Sequence, residues 1–183
     1  MNRTQQGFTL IELMTVVIIM AITIAWGIPA FSDLIERTST RSAAESIVES
    51  FRAARLTAVQ QKKRIVLCST NDGASCGATW DDGFLVFEDT NENRSLDAGE
   101  AVLHHETFKD SLLVKVGSNT QYKIYIDSNG WTPGSADSLL VCAKPGERDN
   151  GYRIVINRAG KIRIEDSTVA WVNAAAETLN CDA

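Results

Sequence analysis

From Phe8 to Phe31 the chain reads FTLIELMTVVIIMAITIAWGIPAF, an apolar run with a single ionisable side chain, Glu12. As a helix it spans roughly 36 Å at ~1.5 Å per residue, enough to cross a hydrocarbon core of ~30 Å. From Ser32 onward the sequence is polar enough for water, with room for one soluble domain. An apolar share of 44%, 22% charged residues and three prolines exclude a disordered chain, a collagen-like repeat and a polytopic membrane protein. Eighteen Lys and Arg against 23 Asp and Glu leave a formal charge of −5. That balance argues against a global polyanion binder and leaves room for a local basic patch.

The run does not look like a secretory signal peptide. Only Met1–Gly7 precedes it, carrying Arg3, and no A-x-A site follows. Its core is also longer than the usual ~7–15 residues. An ordinary membrane anchor explains the length but leaves Glu12 unexplained. A carboxylate near the start of a membrane helix costs ~3 kcal/mol unless it finds a partner. A partner for Glu12 is therefore expected.

The residues Gly7-Phe8-Thr9-Leu10-Ile11-Glu12 closely resemble the type III signal of type IV pilins and pseudopilins. The resemblance extends over the short leader, the apolar stretch and Pro29, which sits where pilin helices commonly bend. It implies that a prepilin peptidase cuts after Gly7 and methylates the new terminus, Phe8. Glu12 would then lie one helical turn from that amine and neutralise the amine of an adjacent subunit. An ion pair in apolar surroundings adds little net stability, but losing one partner costs several kcal/mol. Glu12 is thus expected to set register between packed helices. Pro29 is expected to kink the helix, with Gly27 adding freedom beside it, or to mark the membrane exit.

Beyond Ser32 the pattern becomes periodic. Ala44, Ile47, Val48, Phe51, Ala54, Ala58 and Val59 recur at three- and four-residue spacing, with Arg41, Glu45, Glu49, Arg52 and Arg55 largely opposite. Arg41–Glu45 and Glu49–Arg52 stand at pairing distance. The helix is expected to run from Phe8 to about Gln61, where Lys62, Lys63 and Arg64 complement the negative end of its dipole. From Ile65 the period switches to two. Short β-rich runs occupy 65–68, 84–87, 101–108, 112–116, 122–126, 139–142, 152–156 and 161–164, with Gly, Asn and Asp between them. Asn157-Arg158-Ala159-Gly160 reads as a hairpin turn. The expected class is α+β, a long N-terminal helix packed on a C-terminal antiparallel β domain. Residues 1–7 form the leader, 8–31 the transmembrane and filament-core helix, 32–62 the amphipathic helix, and 63–183 the β domain.

The cysteines are Cys68, Cys76, Cys142 and Cys181, with no C-x-x-C, so structural zinc and thioredoxin-like chemistry fit poorly. Of three connectivities, Cys68–Cys76 with Cys142–Cys181 is favoured. The first closes a short Gly-containing loop and the second pins the tail onto a strand. Chain entropy gives about 2.6 and about 3.9 kcal/mol, and such bonds persist in the bacterial periplasm. Pilin relatives likewise often tie down their C-terminal segment. Cys68-Ser-Thr-Asn-Asp-Gly with Cys76, then Trp80-Asp-Asp-Gly-Phe-Leu-Val-Phe, resembles minor pilins of the FimT/FimU and pseudopilin H (GspH) group.

Two segments are candidate sites. Asp89, Asn91, Asn93, Ser95, Asp97 and Glu100 match the calcium-loop positions one, three, five, seven, nine and twelve. Arg94 stands where the sharp turn usually requires glycine, and the flanks read as strands. A solvated hairpin loop rich in turn formers is the competing reading, so calcium is a possible cofactor only. The second segment is basic: Lys144, Arg148, Arg153, Arg158, Lys161 and Arg163. Gly160-Lys161-Ile162-Arg163 resembles the G-R-x-R element of DNA-binding FimT pilins, with Lys161 replacing the first arginine. Arg158, Lys161 and Arg163 could hold phosphates, although Glu165 and Asp166 follow directly. The competing reading is a solvated strand face, or a patch that docks an acidic neighbour.

Catalysis is not expected. His104 and His105 are adjacent and in a strand point to opposite faces, and no nucleophile or phosphate-loop motif occurs. The resemblance implies a single-pass protein of the bacterial inner membrane with a periplasmic C-terminal domain, later part of a pilus or pseudopilus. The implied role is a minor pilin in initiation or at the tip of a type IV pilus. The alternatives are a minor pseudopilin of type II secretion and a DNA-binding minor pilin of natural transformation. The implied partners are the prepilin peptidase and other minor and major pilins or pseudopilins. An uncleaved single-span protein would instead keep Met1–Gly7.

Overall fold

Among the described residues one helix, α1 (Leu10–Gln61), leads into ten strands. Thr9 is its N-cap: the Thr9 Oγ1 accepts the Glu12 backbone N–H at 3.3 Å, satisfying a donor that the first turn leaves open. Its far end closes on Lys62, whose φ of 57° is left-handed, while the Lys63 N–H reaches back to the Ala58 carbonyl at 3.2 Å. That is a Schellman closure, normally a glycine's task. The end falls where the basic cluster begins, but no basic residue occupies the last turn. Lys63 instead pairs with Glu88 at 2.5 Å and Arg64 with Glu92 at 3.0 Å. The cluster therefore staples the helix exit to the strand ending at Glu88 and to the loop beyond it, which corrects its assignment to the helix dipole.

The computed structural model describes residues 9–77, 79–108, 112–117, 123–134, 137–143, 151–166, 171–172, 178–179 and 181, with backbone alone at 27–33, 137, 166, 171–172 and 178–179. The leader, Gly7 and Phe8 lie outside the described residues, as do Lys144 and Arg148, and so does the side chain of Pro29 on which the expected kink falls. The helix continues through position 29. The chain divides into two compact units, residues 1–36 and 37–183. In the first, Leu10, Ile11, Leu13 and Met14 are all more than half exposed, as an apolar helix without its surroundings must be.

The second unit holds the core. Strands β1 (Ile65–Ser69), β2 (Gly83–Glu88), β3 (Val102–Thr107) and β5 (Lys123–Ile126) form one sheet in the order β3-β2-β1-β5. Strands β4 (Leu112–Val116), β6 (Asp137–Ala143), β7 (Tyr152–Ile156) and β8 (Ile162–Asp166) form a second, β4-β6-β7-β8. Every pairing is antiparallel. A short pair, β9 (Trp171–Val172) with β10 (Thr178–Leu179), was not anticipated. The helix stripe from Ala43 to Ala58 and the inner faces of both sheets form one cluster, in which Ile47, Phe51, Ile65, Phe84, Leu139 and Ile154 are fully buried. Val59, assigned to that stripe from its spacing, is 38% exposed. It lies about 100° around the helix from the buried Ala58. Arg41 and Glu45 pair at 2.7 Å as expected, whereas Glu49 and Arg52 form no pair among the described residues.

In the first sheet β1 and β2 are buried on both faces, whereas the edge strand β3 is largely exposed. Val66, Cys68, Leu85, Phe87 and Tyr125 make a second cluster, roofed by Cys76 and Leu96 from two loops. On the second sheet, Leu140 and Cys142 are covered by Cys181. Both favoured disulfides are present, Cys68–Cys76 and Cys142–Cys181, and each ties a covering segment to the strand beneath it.

Candidate functional site

Glu12 sits in the first turn of α1, where the helix end is positive. Its backbone belongs to the Thr9 cap, yet its exposed carboxylate makes no ion pair among the described residues. Among the described residues the acid is a charge without a counter-charge, at the start of an apolar run.

The loop from Asp89 to Glu100 brings all six calcium candidates together, but their oxygens face inward on the loop's own donors. Asp89 accepts the backbone N–H groups of Asn93 and Arg94, at 3.1 and 3.2 Å. Asn93 Oδ1 accepts the Ser95 N–H at 2.7 Å. Glu100 accepts the Thr90 N–H at 2.8 Å and the Asp97 N–H at 3.0 Å. The Asn91 and Asn93 amides donate to Asp97 and hold its carboxyl below the usual range. The Lys123 ammonium lies 3.2 Å from Ser95 Oγ, a position unsuited to a cation neighbour. Among the described residues no group of three or more His, Cys, Asp and Glu could hold a metal ion. Arg94 is left-handed, with φ 61°, so it takes up the turn that the pattern reserves for glycine. Its guanidinium lies 4.0 Å from the Tyr125 ring centroid, with Arg64 at 5.3 Å. Cation–π contact and the half-buried Leu96 make this loop a lid on the first sheet.

The loop inside the Cys68–Cys76 ring is built on Asp72. Its carboxylate accepts the Ala74 N–H at 2.8 Å and the Ser75 N–H at 2.9 Å, then the hydroxyls of Ser75 and Thr70. These bonds hold its carboxyl far below the usual carboxylate range. A folded-state value below the unfolded ~3.9 means that its contribution to stability is present above that pH and lost as pH falls beneath it. Asp72→Asn should therefore lower the urea midpoint at neutral pH, with the gap from the parent closing below about pH 4. Urea unfolding at the two pH values measures it, and a gap independent of pH would refute the assignment.

The basic hairpin forms as expected. Asn157 and Gly160 close the turn by a 2.9 Å backbone bond, and the Asn157 side chain accepts the Lys161 N–H at 2.9 Å. Arg158 and Lys161 are exposed, but Arg163 donates to Glu165 at 2.5 Å, and Arg153 reaches the same carboxylate at 3.5 Å. Arg163 and Glu165 stand two apart on one strand face, so the acid that follows the motif neutralises its last arginine. Sequence reasoning missed Arg55. Its Nε donates to the Gly130 carbonyl at 2.8 Å and its Nη2 to the Ala159 carbonyl at 3.4 Å, tying α1 to two turns at once. The only signal for it was indirect: two glycine turns facing a helix arginine at the edge of the buried stripe. The histidines divide as expected, His104 against the Phe84 ring at 5.7 Å and His105 beside Gly73.

Comparison with known proteins gives these features a setting. The family described as Type II transport protein GspH matches residues 43–160, which cover most of the two-sheet unit and the helix stripe beneath it. The chain belongs to the GspH family. The prokaryotic N-terminal methylation motif matches residues 2–28. The minor pilin FimU of Pseudomonas aeruginosa shares the fold with a TM-score of 0.58 at 25% identity, covering 75% of this chain and 96% of FimU. The minor pseudopilin EpsH from the type 2 secretion system of Vibrio cholerae has a TM-score of 0.52 at 14% identity, over 70% and 97%, a likeness of fold alone. The pilin-like protein PilA1 of Thermus thermophilus is 32% identical over 97 residues, so the match spans 53% of this GspH-family chain and about half, 56%, of PilA1. Pilins and pseudopilins are structural proteins, and this chain is not an enzyme. Its N-terminal motif is that of a membrane-anchored pilus component. Among the described residues no helix is long and apolar enough to cross a membrane, and the ends of the apolar run, Phe8 and 27–31, lie outside the described side chains.

Proposed function

We propose that this GspH-family protein is a minor pilin that takes part in type IV pilus assembly, at initiation or at the tip. The observation that carries this reading is the likeness to FimU, at 25% identity over 96% of that chain. After cleavage behind Gly7 by a prepilin peptidase, Phe8 becomes the methylated terminus. The protein then waits in the bacterial inner membrane as a single span, its disulfide-bonded domain in the oxidising periplasm. On assembly the helix leaves lipid for neighbouring helices, one apolar environment for another, so extraction carries no large hydrophobic penalty. Glu12 meets the terminal amine of an adjacent subunit there, which gives its unpaired carboxylate a counter-charge.

A second reading, a minor pseudopilin of type II secretion, draws on the family's own description and on the EpsH fold. The nucleic-acid reading has less behind it, since Glu165 takes Arg163 and leaves Arg158 and Lys161 as isolated point charges. Mass spectrometry of the membrane-bound protein should find a chain starting at N-methyl-Phe8 with both disulfides intact. Deleting the gene should remove surface fibres and leave protein secretion unchanged. Loss of secretion with fibres intact would favour the pseudopilin, and a chain that keeps Met1–Gly7 would end both readings.

A further inference from the structure

Strand β8 stands at the edge of the second sheet, and among the described residues only β7 pairs with it. The Asn157 N–H donates to the Lys161 carbonyl at 3.0 Å, and bonded pairs alternate along an antiparallel ladder. Lys161, Arg163 and Glu165 therefore bond to β7, while the N–H and C=O groups of Ile162 and Ile164 point away from the sheet. The Ile162 and Ile164 side chains pack on the core, so the edge is anchored below and open along its backbone.

That edge borders a groove. Leu56 is 58% exposed and Val59 38% exposed on α1, and with Ile162 they floor a space of about 640 Å³ between the helix and the start of β8. Arg52, Arg55 and Lys161 supply its charge, and no carboxylate lines it. Arg55 is held by the Gly130 and Ala159 carbonyls, whereas the Arg52 and Lys161 side chains make no bond among the described residues. An open strand edge beside a groove is the arrangement in which an extended peptide is taken up as an added strand. Backbone pairing then supplies affinity, and alternate side chains supply selectivity.

We propose that β8 takes up an extended segment of another protein, one in which aliphatic residues alternate with acidic ones. Its backbone pairs with Ile162 and Ile164. Successive side chains of a strand face opposite sides, so the aliphatic set covers Leu56, Val59 and Ile162 while the acidic set meets Lys161. Arg52 at the rim adds attraction for the same charge. A second β8 fits less well, since it would bring its own Lys161 and Arg163 to a groove of cations. A nucleic-acid strand lacks the peptide groups that the edge pairs with, and no aromatic platform lines the groove. One copy of the chain suffices, and the contact lies outside the helix packing that builds a fibre. It adds to the proposed role without depending on it.

The test uses the full-length protein in nanodiscs of zwitterionic lipid, with a fluorescein-labelled hexapeptide of alternating valine and glutamate followed by anisotropy. Binding should saturate, and the peptide with lysine in place of glutamate should bind at least tenfold more weakly. An added strand bonds to the edge through every second residue. N-methylation of one alternate set should therefore weaken binding at least tenfold, and of the other set less than twofold. Arg52→Glu with Lys161→Glu should reverse the preference between the glutamate and lysine peptides. Should that variant fail to fold, the two N-methylated peptides on the parent decide. Absence of saturable binding, equal binding of both N-methylated peptides, or tighter binding of a single-stranded oligonucleotide overturns the proposal. So do two tagged copies joined by light through benzoylphenylalanine at position 56. None of these results touches fibre assembly, so failure here leaves the pilin reading standing.

Discussion

Glu12→Ala is expected to enter the membrane at the parental level and to fall at least tenfold in sheared fibres. The substitution removes a carboxylate that makes no ion pair among the described residues, while the backbone keeps its bonds: Thr9 Oγ1 accepts the Glu12 N–H, and the Glu12 carbonyl accepts the Thr15 hydroxyl at 2.8 Å. Alanine keeps both bonds and is a better helix former, so neither the cap nor the helix should suffer. What disappears is the counter-charge for a neighbour's terminal amine. An amine left unpaired in apolar surroundings costs about 3–5 kcal/mol, and each ~1.4 kcal/mol is a factor of ten. Membrane insertion is decided by the apolar run, from which one charge has been deleted, so it should hold or improve. Glu12→Gln separates the two roles further, because glutamine keeps the shape and the capping-box hydrogen bonding of the first turn but carries no charge. Immunoblots of membrane and fibre fractions measure both. Fibres that incorporate the glutamine variant at the parental level would show that charge is irrelevant and overturn the role.

The helix and its stripe were legible because burial along a helix writes itself at a period near 3.6, and Ala44, Ile47, Phe51, Ala54 and Ala58 keep that period over four turns. The division into two sheets was not. β1 pairs with β5 across more than fifty intervening residues, as with Ile65 opposite Ile126, and no local pattern encodes such a partnership. Burial of β1 and β2 on both faces also erased the alternation that would have marked an outer side. The disulfides were readable from loop size and from the tail that needed fastening. The calcium pattern is not confirmed, and it was ambiguous for a physical reason: side-chain oxygens at alternate positions serve a cation or a chain of Asx turns equally well. In this loop they point at neighbouring N–H groups. Arg94 was the sequence's best objection to calcium, yet its left-handed backbone shows that the turn does not require glycine there. Arg163 was readable as compensated, since an acid two residues along a strand shares its face.

Gly160→Ala is expected to destabilise the protein by ~3 kcal/mol or more. With φ at 69° the residue is left-handed, which costs a side-chain-bearing residue about 1 kcal/mol or more by itself. Space is the larger obstacle. A Cβ built there would overlap the Gly130 carbonyl oxygen and lie 2.7 Å from Arg55 Nε. That carbonyl is what Arg55 grips at 2.8 Å, so relieving the overlap means giving up a charge-assisted bond, typically ~1.5–3 kcal/mol. The neighbouring turn is already locked: the Thr132 N–H donates to the Arg158 carbonyl at 3.0 Å and its hydroxyl to the Asn157 carbonyl at 2.7 Å. Backbone held on that side cannot drift away cheaply. Because both changes break the same contact, Arg55→Ala and Gly160→Ala should be less damaging together than their separate effects predict, by ~1 kcal/mol or more. Denaturant unfolding of the parent, both single variants and the double variant gives the cycle. Additive losses, or a Gly160→Ala protein within ~1 kcal/mol of the parent, would show that the helix, the turn at Gly130 and the hairpin are not clamped through this arginine.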